Sequence, residues 1–372
     1  MPQNYIAAYS TDQVTYTDLT NVQDIALFVG RQRQLDPYNA SSATIVIRYP
    51  TGYASPITAL TSGNFIRITN AGNGQRMFYG TINNVEVRYG IPYAGGVGNA
   101  DYMTISVEGS FARFGRVQGL NYAMNSAAVW QQIQTCQTQT SLGIIAGSFI
   151  TNVLAATTVT GTWGDWVNRL LVSINGRIWD AYSNTVNVLS PFELYSSPIT
   201  FSDTTNNATN QVYDQINFGS YADNYYTQVT VDPENFAEAT VQTGSAPYRT
   251  LLTNTFNAST AQATDYANYL LNNYKTQGFA LLSISCLAEA QNTFMLDSVS
   301  GYLPTTFAAT PGTRVAVVFR GTTFNCVVEG VSMTATPESS RYTYYLSGAD
   351  LNAYLLLDNT VFGKLDYNRL GY

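Results

Sequence analysis

The sequence predicts a mainly β, α+β protein in which two β-barrel domains flank an inserted helix-plus-hairpin domain and a mixed α/β domain. Three observations carry that prediction. Short β-branched or alternating runs, separated by Gly, Asn and Pro turns, fill both ends of the chain. One hairpin pattern occurs near each end, and two capped helix patterns stand only in the middle.

Taken in order, Thr44–Tyr49 is a β-branched strand stopped by Pro50. Asn64–Thr69 alternates apolar and polar residues until Asn70–Gly74 turns the chain into a return strand, Gln75–Tyr79. Thr81–Tyr89 reads as a strand with a bulge, and the loop Pro92–Gly98 leads to the strand Tyr102–Val107. From Val117 to Gly164 no residue is charged, which marks a change of domain. Within it, Asn125–Gln137 has near-helical spacing. Leu142–Thr160 is apolar but interrupted, and reads as buried strand and turn rather than as a membrane-active segment, which needs a longer unbroken apolar run. Thr162 and Asp165 form a capping box for a helix through Trp166, Val167, Leu170, Leu171 and Ile174, and Asn175-Gly176 then turns into Arg177–Tyr182. Val186–Leu189 is a short strand, and Asn224–Val231 the clearest strand of the Phe201–Thr240 stretch. Ser259 with Gln262 caps a helix to Tyr274, with Ala263, Tyr266, Ala267, Leu270, Leu271 and Tyr274 on one face. The domains are therefore expected at 1–116 (first barrel), 117–199 (helix and hairpin), 200–276 (mixed, ending in a helix) and 277–348 (second barrel), with a docking segment at 349–372.

The hairpin pattern suggests duplication. Gly63-Asn64-Phe65-Ile66-Arg67-Ile68 returns through Met77-Phe78-Tyr79-Gly80-Thr81-Ile82, and Gly312-Thr313-Arg314-Val315-Ala316-Val317 returns through Cys326-Val327-Val328-Glu329-Gly330-Val331. Each is Gly-x-x-apolar-x-apolar, a turn, then a strand ending Gly-x-apolar. Three such chains would present six similar barrels, a match for a sixfold partner.

Composition narrows the function. The chain has 372 residues and no histidine, which removes Ser-His-Asp and Cys-His nucleophiles, HExxH zinc sites and imidazole bases. Charged residues reach only 11%, where about 25% is usual, and 28 tyrosines with many neutral amides take their place, as suits contact surfaces. Lys275 and Lys364 are the only lysines, so positive charge is mostly arginine, which pairs bidentately with carboxylates. A net charge of −7 argues against tight binding to a phosphate backbone and suits a wall that DNA slides past. Cys136, Cys286 and Cys326 form no metal or disulfide pattern and are expected reduced and buried. The N-terminus lacks the basic and apolar regions of a signal peptide.

Phe28-Val29-Gly30-Arg31-Gln32-Arg33-Gln34-Leu35-Asp36, followed by Ser42–Ile47, resembles the opening of minor tail proteins of long-tailed bacteriophages. Tyr345–Asp350 and Leu357–Tyr372 resemble their closing segment, and the units at 164–182, Thr200–Asp203 and 260–274 fall in the same order. The resemblance implies a tail-tip (baseplate) hub: a homotrimer with two tail-tube-like barrels per chain, joining a sixfold tube to a threefold tip and closing or lining the DNA channel. It further implies a virion location and, as partners, a distal-tail or tail-tube protein, a tape-measure protein, tip or fibre proteins, and DNA passing without tight binding. The charge-free tract takes no role from the resemblance.

No catalytic, cofactor or metal site is expected. Arg31, Arg33, Leu35 and Asp36 are candidate assembly-interface residues, as arginines standing out in a charge-poor chain. Tyr354, Leu357, Asp358, Phe362, Gly363, Leu365, Asp366 and Arg369 are further candidates, because their segment is too short to form a core and must dock. Alternatives are a hexameric distal-tail or tube protein, and a carbohydrate- or receptor-binding tail protein using Trp163, Trp166 and Trp179, with Tyr225 and Tyr226, as stacking platforms. A glycosidase pair among Asp180, Asp203, Asp214, Asp223 and Asp232 is the weakest reading, since turn and cap aspartates look the same.

Overall fold

The computed structural model describes residues 5–49, 60–71, 76–90, 100–146, 152–180, 185–189, 195–204, 210–220, 225–275, 280–287 and 311–348. The closing segment with Tyr354 to Arg369, the loop at 92–98 and Asp223 lie outside them. Strand makes up 53% and helix 16% of the described residues, so the protein is mainly β. The first seven strands are β1 (Tyr5–Ser10), β2 (Thr17–Asp18), β3 (Val22–Gly30), β4 (Ser42–Tyr49), β5 (Phe65–Asn70), β6 (Arg76–Arg88) and β7 (Asp101–Glu108). Their alternation works as the sequence predicts: Ala43, Ile45 and Ile47 of β4, Ile66 and Ile68 of β5, and Met103, Ile105 and Val107 of β7 are buried. The lateral order is β2-β1-β5-β6-β7-β4-β3. Its two ends, β2 and β3, are joined by only Leu19, Thr20 and Asn21. Leu19 donates its amide to Ala7 of β1 (2.8 Å), and the Asn21 carbonyl accepts from Arg48 of β4 (3.0 Å), so the seven strands curl until the ends meet.

The next stretch is a separate small unit. It comprises α1 (Phe111–Phe114), β8 (Tyr122–Met124), β9 (Ala127–Ala128), α2 (Val129–Thr140), β10 (Gly143–Ala146), β11 (Val153–Leu154), β12 (Thr157–Val159), α3 (Trp163–Ile174), β13 (Arg177–Asp180) and β14 (Thr185–Leu189). The expected capping box is present: Thr162 Oγ1 accepts from the Asp165 amide (3.1 Å) while the Asp165 carboxylate accepts from the Thr162 amide (3.3 Å). Asn175, left-handed at φ 49°, ends α3. The described part of the apolar stretch Leu142–Thr160 holds three short strands, and no helix of the described residues is long and apolar enough to cross a membrane.

The large sheet then resumes with β15 (Tyr195–Ser202), β16 (Asn210–Val212) and β17 (Gln215–Gly219). An excursion of β18 (Gln228–Pro233), β19 (Ala239–Gln242), β20 (Thr250–Thr255) and α4 (Thr260–Tyr274) follows, with the predicted face of α4 buried against β18 and β19. Strands β21 (Ala280–Leu287), β22 (Thr313–Phe319), β23 (Thr322–Ala335) and β24 (Ser340–Gly348) close the described chain. Because β15–β17 belong to the large sheet and Phe201 and Tyr213 to its core, the stretch expected as an inserted domain at 200–276 contains part of the second half. Its Asn- and Thr-rich strands pair with residues a hundred or so positions on, which local pattern does not reveal.

The second seven strands repeat the first in order: β16-β15-β22-β23-β24-β21-β17. Again the ends are joined by a short link, Tyr213 and Asp214, bonded to Val318 of β22 (2.9 Å) and Ser285 of β21 (2.9 Å). One strand departs, since β1 is antiparallel to β5 while β15 is parallel to β22. The predicted hairpins are β5–β6 and β22–β23, and they superpose by bonding. Gly63 and Gly312, at φ +94° and +89°, donate to Ile82 (2.9 Å) and Val328 (2.8 Å), and both return strands bulge next, between Ile82 and Asn84 and between Val328 and Gly330. This register corrects the motif. Gly80 lies opposite Ile66 where Cys326 lies opposite Val315, so the counterpart of Gly330 is Asn84 and that of Glu329 is Asn83. The longer turn of the first hairpin displaces its second glycine.

The halves share one 14-stranded sheet. β22 pairs with β23 up to Val327; β3 takes over that edge, from Gly330 opposite Gly30 to Ala335 opposite Ile25. One continuous core runs beneath both halves.

Candidate functional site

Where β3 crosses to β23, two glycines let backbones touch. A Cβ on Gly330 would strike the Arg31 carbonyl, and one on Gly30, at φ +92°, would strike the Glu329 carbonyl. The Arg31 amide donates to that Glu329 carbonyl at 3.0 Å. Immediately beside this contact, the bulged residue Glu329 turns its side chain into the interior, fully buried.

Three parts of the chain converge on that carboxylate. Arg31, which follows β3, donates Nε to Oε2 at 2.8 Å. Arg177 of β13 donates Nη2 to Oε1 at 3.0 Å, and Ser347 of β24 donates its hydroxyl to the same oxygen at 2.7 Å. The Arg31 guanidinium also lies 4.3 Å from the centre of the Tyr38 ring. Burial alone would raise the carboxyl; Arg177, then Arg31, then the Ser347 hydroxyl outweigh it and hold Glu329 at about 2. Both guanidiniums, disfavoured by burial, are held above their ordinary value chiefly by Glu329. The centre is a charged lock between the first half, the inserted unit and the second half.

β13 supplies a second tie. Asp180 accepts from the amides of Ser41 (2.7 Å) and Phe111 (2.5 Å), and burial pushes its carboxyl up while those amides pull it down. All four residues of β13 are buried, with Trp179 in the sheet core and Ile178 in the core of the inserted unit.

Of the sequence candidates, Arg31 is thus buried and paired inside its own chain. Arg33 pairs with Asp36 at 3.3 Å, both partly exposed. Leu35 packs against the cluster under α4, so this short loop seats the excursion of the second half. Of the stacking platforms, the three tryptophans are buried, while Tyr225 and Tyr226 are half-buried. Trp163, Trp166 and Trp179 are 2%, 4% and 5% exposed; Trp163 lies against Tyr122 and Trp166 against Phe256, while Trp166 Nε1 donates to Thr157 (3.1 Å). Three aspartates of the glycosidase reading have structural partners: Asp180 the two amides above, Asp203 the Arg320 amide, from which it accepts (2.6 Å), and Asp214 the Arg341 guanidinium (2.7 Å). Among the described residues no group of three or more metal-ligating side chains lies together. Glu329, Arg177 and Ser347 were missed. The available signal was a lone acid inside the apolar run Cys326-Val327-Val328-Glu329-Gly330-Val331.

No protein-family model matches the sequence, and no curated protein does. Solved structures do. A tail protein of prophage MuSo2 from Shewanella oneidensis superposes with TM-score 0.66 at 10% identity, covering 94% of this chain and 99% of that one. A tail protein from Neisseria meningitidis gives 0.63 at 13% identity, over 92% and 96%. The chain has the fold of bacteriophage tail proteins. The same tail fold is shared by an Escherichia coli component of the type VI secretion system described as similar to bacteriophage T4 tail proteins (TM-score 0.53, 10% identity, 92% of this chain and 76% of that one). Within this tail-protein fold, the Glu329 centre holds the two sheet halves and the inserted unit in fixed relation.

Proposed function

We propose that the chain is a structural virion protein, a tail-tip (baseplate) hub of which three copies form a ring. The ring joins a sixfold tail tube to a threefold tip and closes or lines the DNA channel. The observation that carries this reading is the duplicated seven-strand curl, each half a tube-like barrel in this reading, locked side by side through β3 and β23. Two similar units in a rigid pair supply sixfold contacts upward from three chains, while the inserted units and the closing segment keep threefold symmetry below. A distal-tail or tube protein would sit above, tip or fibre proteins below, and a tape-measure protein and then DNA inside. The net charge of −7 and the two lysines suit a wall that does not hold phosphates. Arg33, Asp36 and the closing segment are the proposed contacts with neighbouring subunits or tail proteins. The role is mechanical, without turnover of a substrate.

Native mass spectrometry with cryo-electron microscopy of the isolated chain and of tails tests this. A trimer with six similar barrels around a channel is the expected result. A hexamer would replace the hub with a distal-tail or tube protein, and a monomer in tails would end both readings.

A further inference from the structure

The duplication gives every strand a counterpart, and one pair of counterparts is unequally covered. In the intrachain junction, β23 beyond its bulge is sealed by β3: Met333 and Ala335 are 0% exposed, and Ile25 and Leu27 opposite them 1% and 7%. The counterparts of Met333 and Ala335 on β6 are Val87 and Tyr89, because the bulges at Asn83 and Glu329 coincide. Val87 is only half-buried and Tyr89 is 61% exposed. The counterparts of Ile25 and Leu27 on β17 are Ile216 and Phe218, since Ile25 faces Ile45 in β4 as Ile216 faces Ile284 in β21. Both are half-buried. Among the described residues, the β6 edge from Asn83 to Arg88 and the outer edge of β17 have no strand partner. The chain thus carries both halves of a second junction of the kind it already makes once, on two separate edges.

We infer that these edges pair with each other between copies: β6 of one subunit, residues 85–89, lies antiparallel to β17 of the next, with Val87 opposite Phe218, Arg88 opposite Asn217 and Tyr89 opposite Ile216. The inference rests on the trimeric reading and specifies its interface. Faces agree along this register, with Val87, Tyr89, Ile216 and Phe218 on the core side and the exposed Arg88 and Asn217 on the other. Three intrachain and three interchain junctions then close one sheet of six units. Edge pairing supplies the main-chain hydrogen bonds, and Val87 with Phe218 and Tyr89 with Ile216 the apolar contacts. On the free subunit the charges of Glu86 and Arg88 guard the β6 edge against pairing with the wrong strand.

The test uses two full-length single variants, Arg88→Cys and Asn217→Cys, carrying different tags. The native thiols are buried and do not interfere. Directly opposed residues stand about 4.5–5.5 Å apart at Cα, inside the disulfide range of about 4.4–6.8 Å, whereas a partner two residues off register is about 7–8 Å away. Oxidising the mixed variants should give the hetero-tagged dimer, neither variant alone should give a dimer, and Glu86→Cys with Asn217→Cys should link about tenfold more slowly. The double variant should form covalent species up to a trimer. A trimer by native mass spectrometry without the heterodisulfide would overturn this junction and leave the hub standing. A link formed within a single double-variant chain would overturn it as well. Absence of a trimer would overturn the hub itself, and the junction with it.

Discussion

Replacing Glu329 by Gln keeps the shape of the side chain and removes only its charge. The carboxyl is held at about 2 against an ordinary 4.5. At about 1.4 kcal/mol per pKa unit, that drop corresponds to about 3 kcal/mol of stability near neutral pH. A second route agrees, because removing one partner of a buried ion pair costs about 3–5 kcal/mol by leaving the other uncompensated. Here two guanidiniums, Arg31 at 2.8 Å and Arg177 at 3.0 Å, would be stranded. Urea unfolding followed by tryptophan emission reads the loss, since Trp179 lies two residues from Arg177 in the same buried strand.

The pH dependence supplies a signature that simple misfolding would not. A depressed carboxyl stabilises the fold above its unfolded value and loses that contribution as pH falls from about 4.5 toward 2. The gap between wild type and Glu329→Gln should therefore narrow over that window. The centre holds two guanidiniums to one carboxylate, so Arg177→Met, which leaves a neutral pair, should cost less than Glu329→Gln. A gap under about 1 kcal/mol near neutral pH, one that acid does not narrow, or the reverse order of the two variants would refute the charged lock.

Gly330→Ala drives a Cβ into the Arg31 and Val29 backbone and should cost about 1–3 kcal/mol, with hydrogen exchange rising first along β3 and β23; an unchanged exchange pattern would contradict the close approach. Trp166→Ala removes a buried indole and its bond to Thr157 and should lower unfolding stability by about 3–5 kcal/mol; a fully stable variant would reopen a surface role for it. Burial pushes the thiols of Cys136 and Cys286 well up and that of Cys326 to about 12, so the native protein should be inert to a thiol reagent near neutral pH and release three equivalents on denaturation. Rapid labelling of any of them in the native state would show that the strand or helix carrying it opens.

What the sequence made legible was whatever one element decides alone. β4, β5 and β7 bury one face each, so alternation marks them, and α3 and α4 announce themselves through Thr162 and Ser259. The hairpin repeat was visible for the same reason, through Gly63 and Gly312, whose positive φ needs glycine. Its exact register was hidden, because turn length differs between the copies and only pairing with β7 and β24 fixes the bulges. The stretch from Phe201 reads as strand, but its place in the large sheet was hidden, because β15 pairs with β22 and β17 with β21, both far along the chain. Arg31 stood out as an arginine in a charge-poor chain, yet the sequence could not say that its partner was 298 positions away. The tryptophans show the same limit, since an aromatic pattern does not reveal which neighbours cover the rings.

The junction inside the chain and the one inferred between copies, built on one duplicated plan, would form at different times, and their residues differ accordingly. Inside the chain, Glu329 and Gly330 can place a carboxylate in the interior because Arg31, Arg177 and Ser347 fold around it in the same event. On the open β6 edge the counterparts are Asn83 and Asn84, both exposed, with Asn84 bonded to Glu86 at 2.9 Å. A carboxylate there would be solvated on the free subunit and would need dehydration on docking, at several kcal/mol unless the neighbour brought a matched guanidinium. A neutral amide costs far less to bury and still hydrogen-bonds on either side of the event. The charged version thus suits the permanent junction and the amide version the one made at assembly. In the ring read here, dissociation should begin at the three β6–β17 seams and leave each pair of units intact.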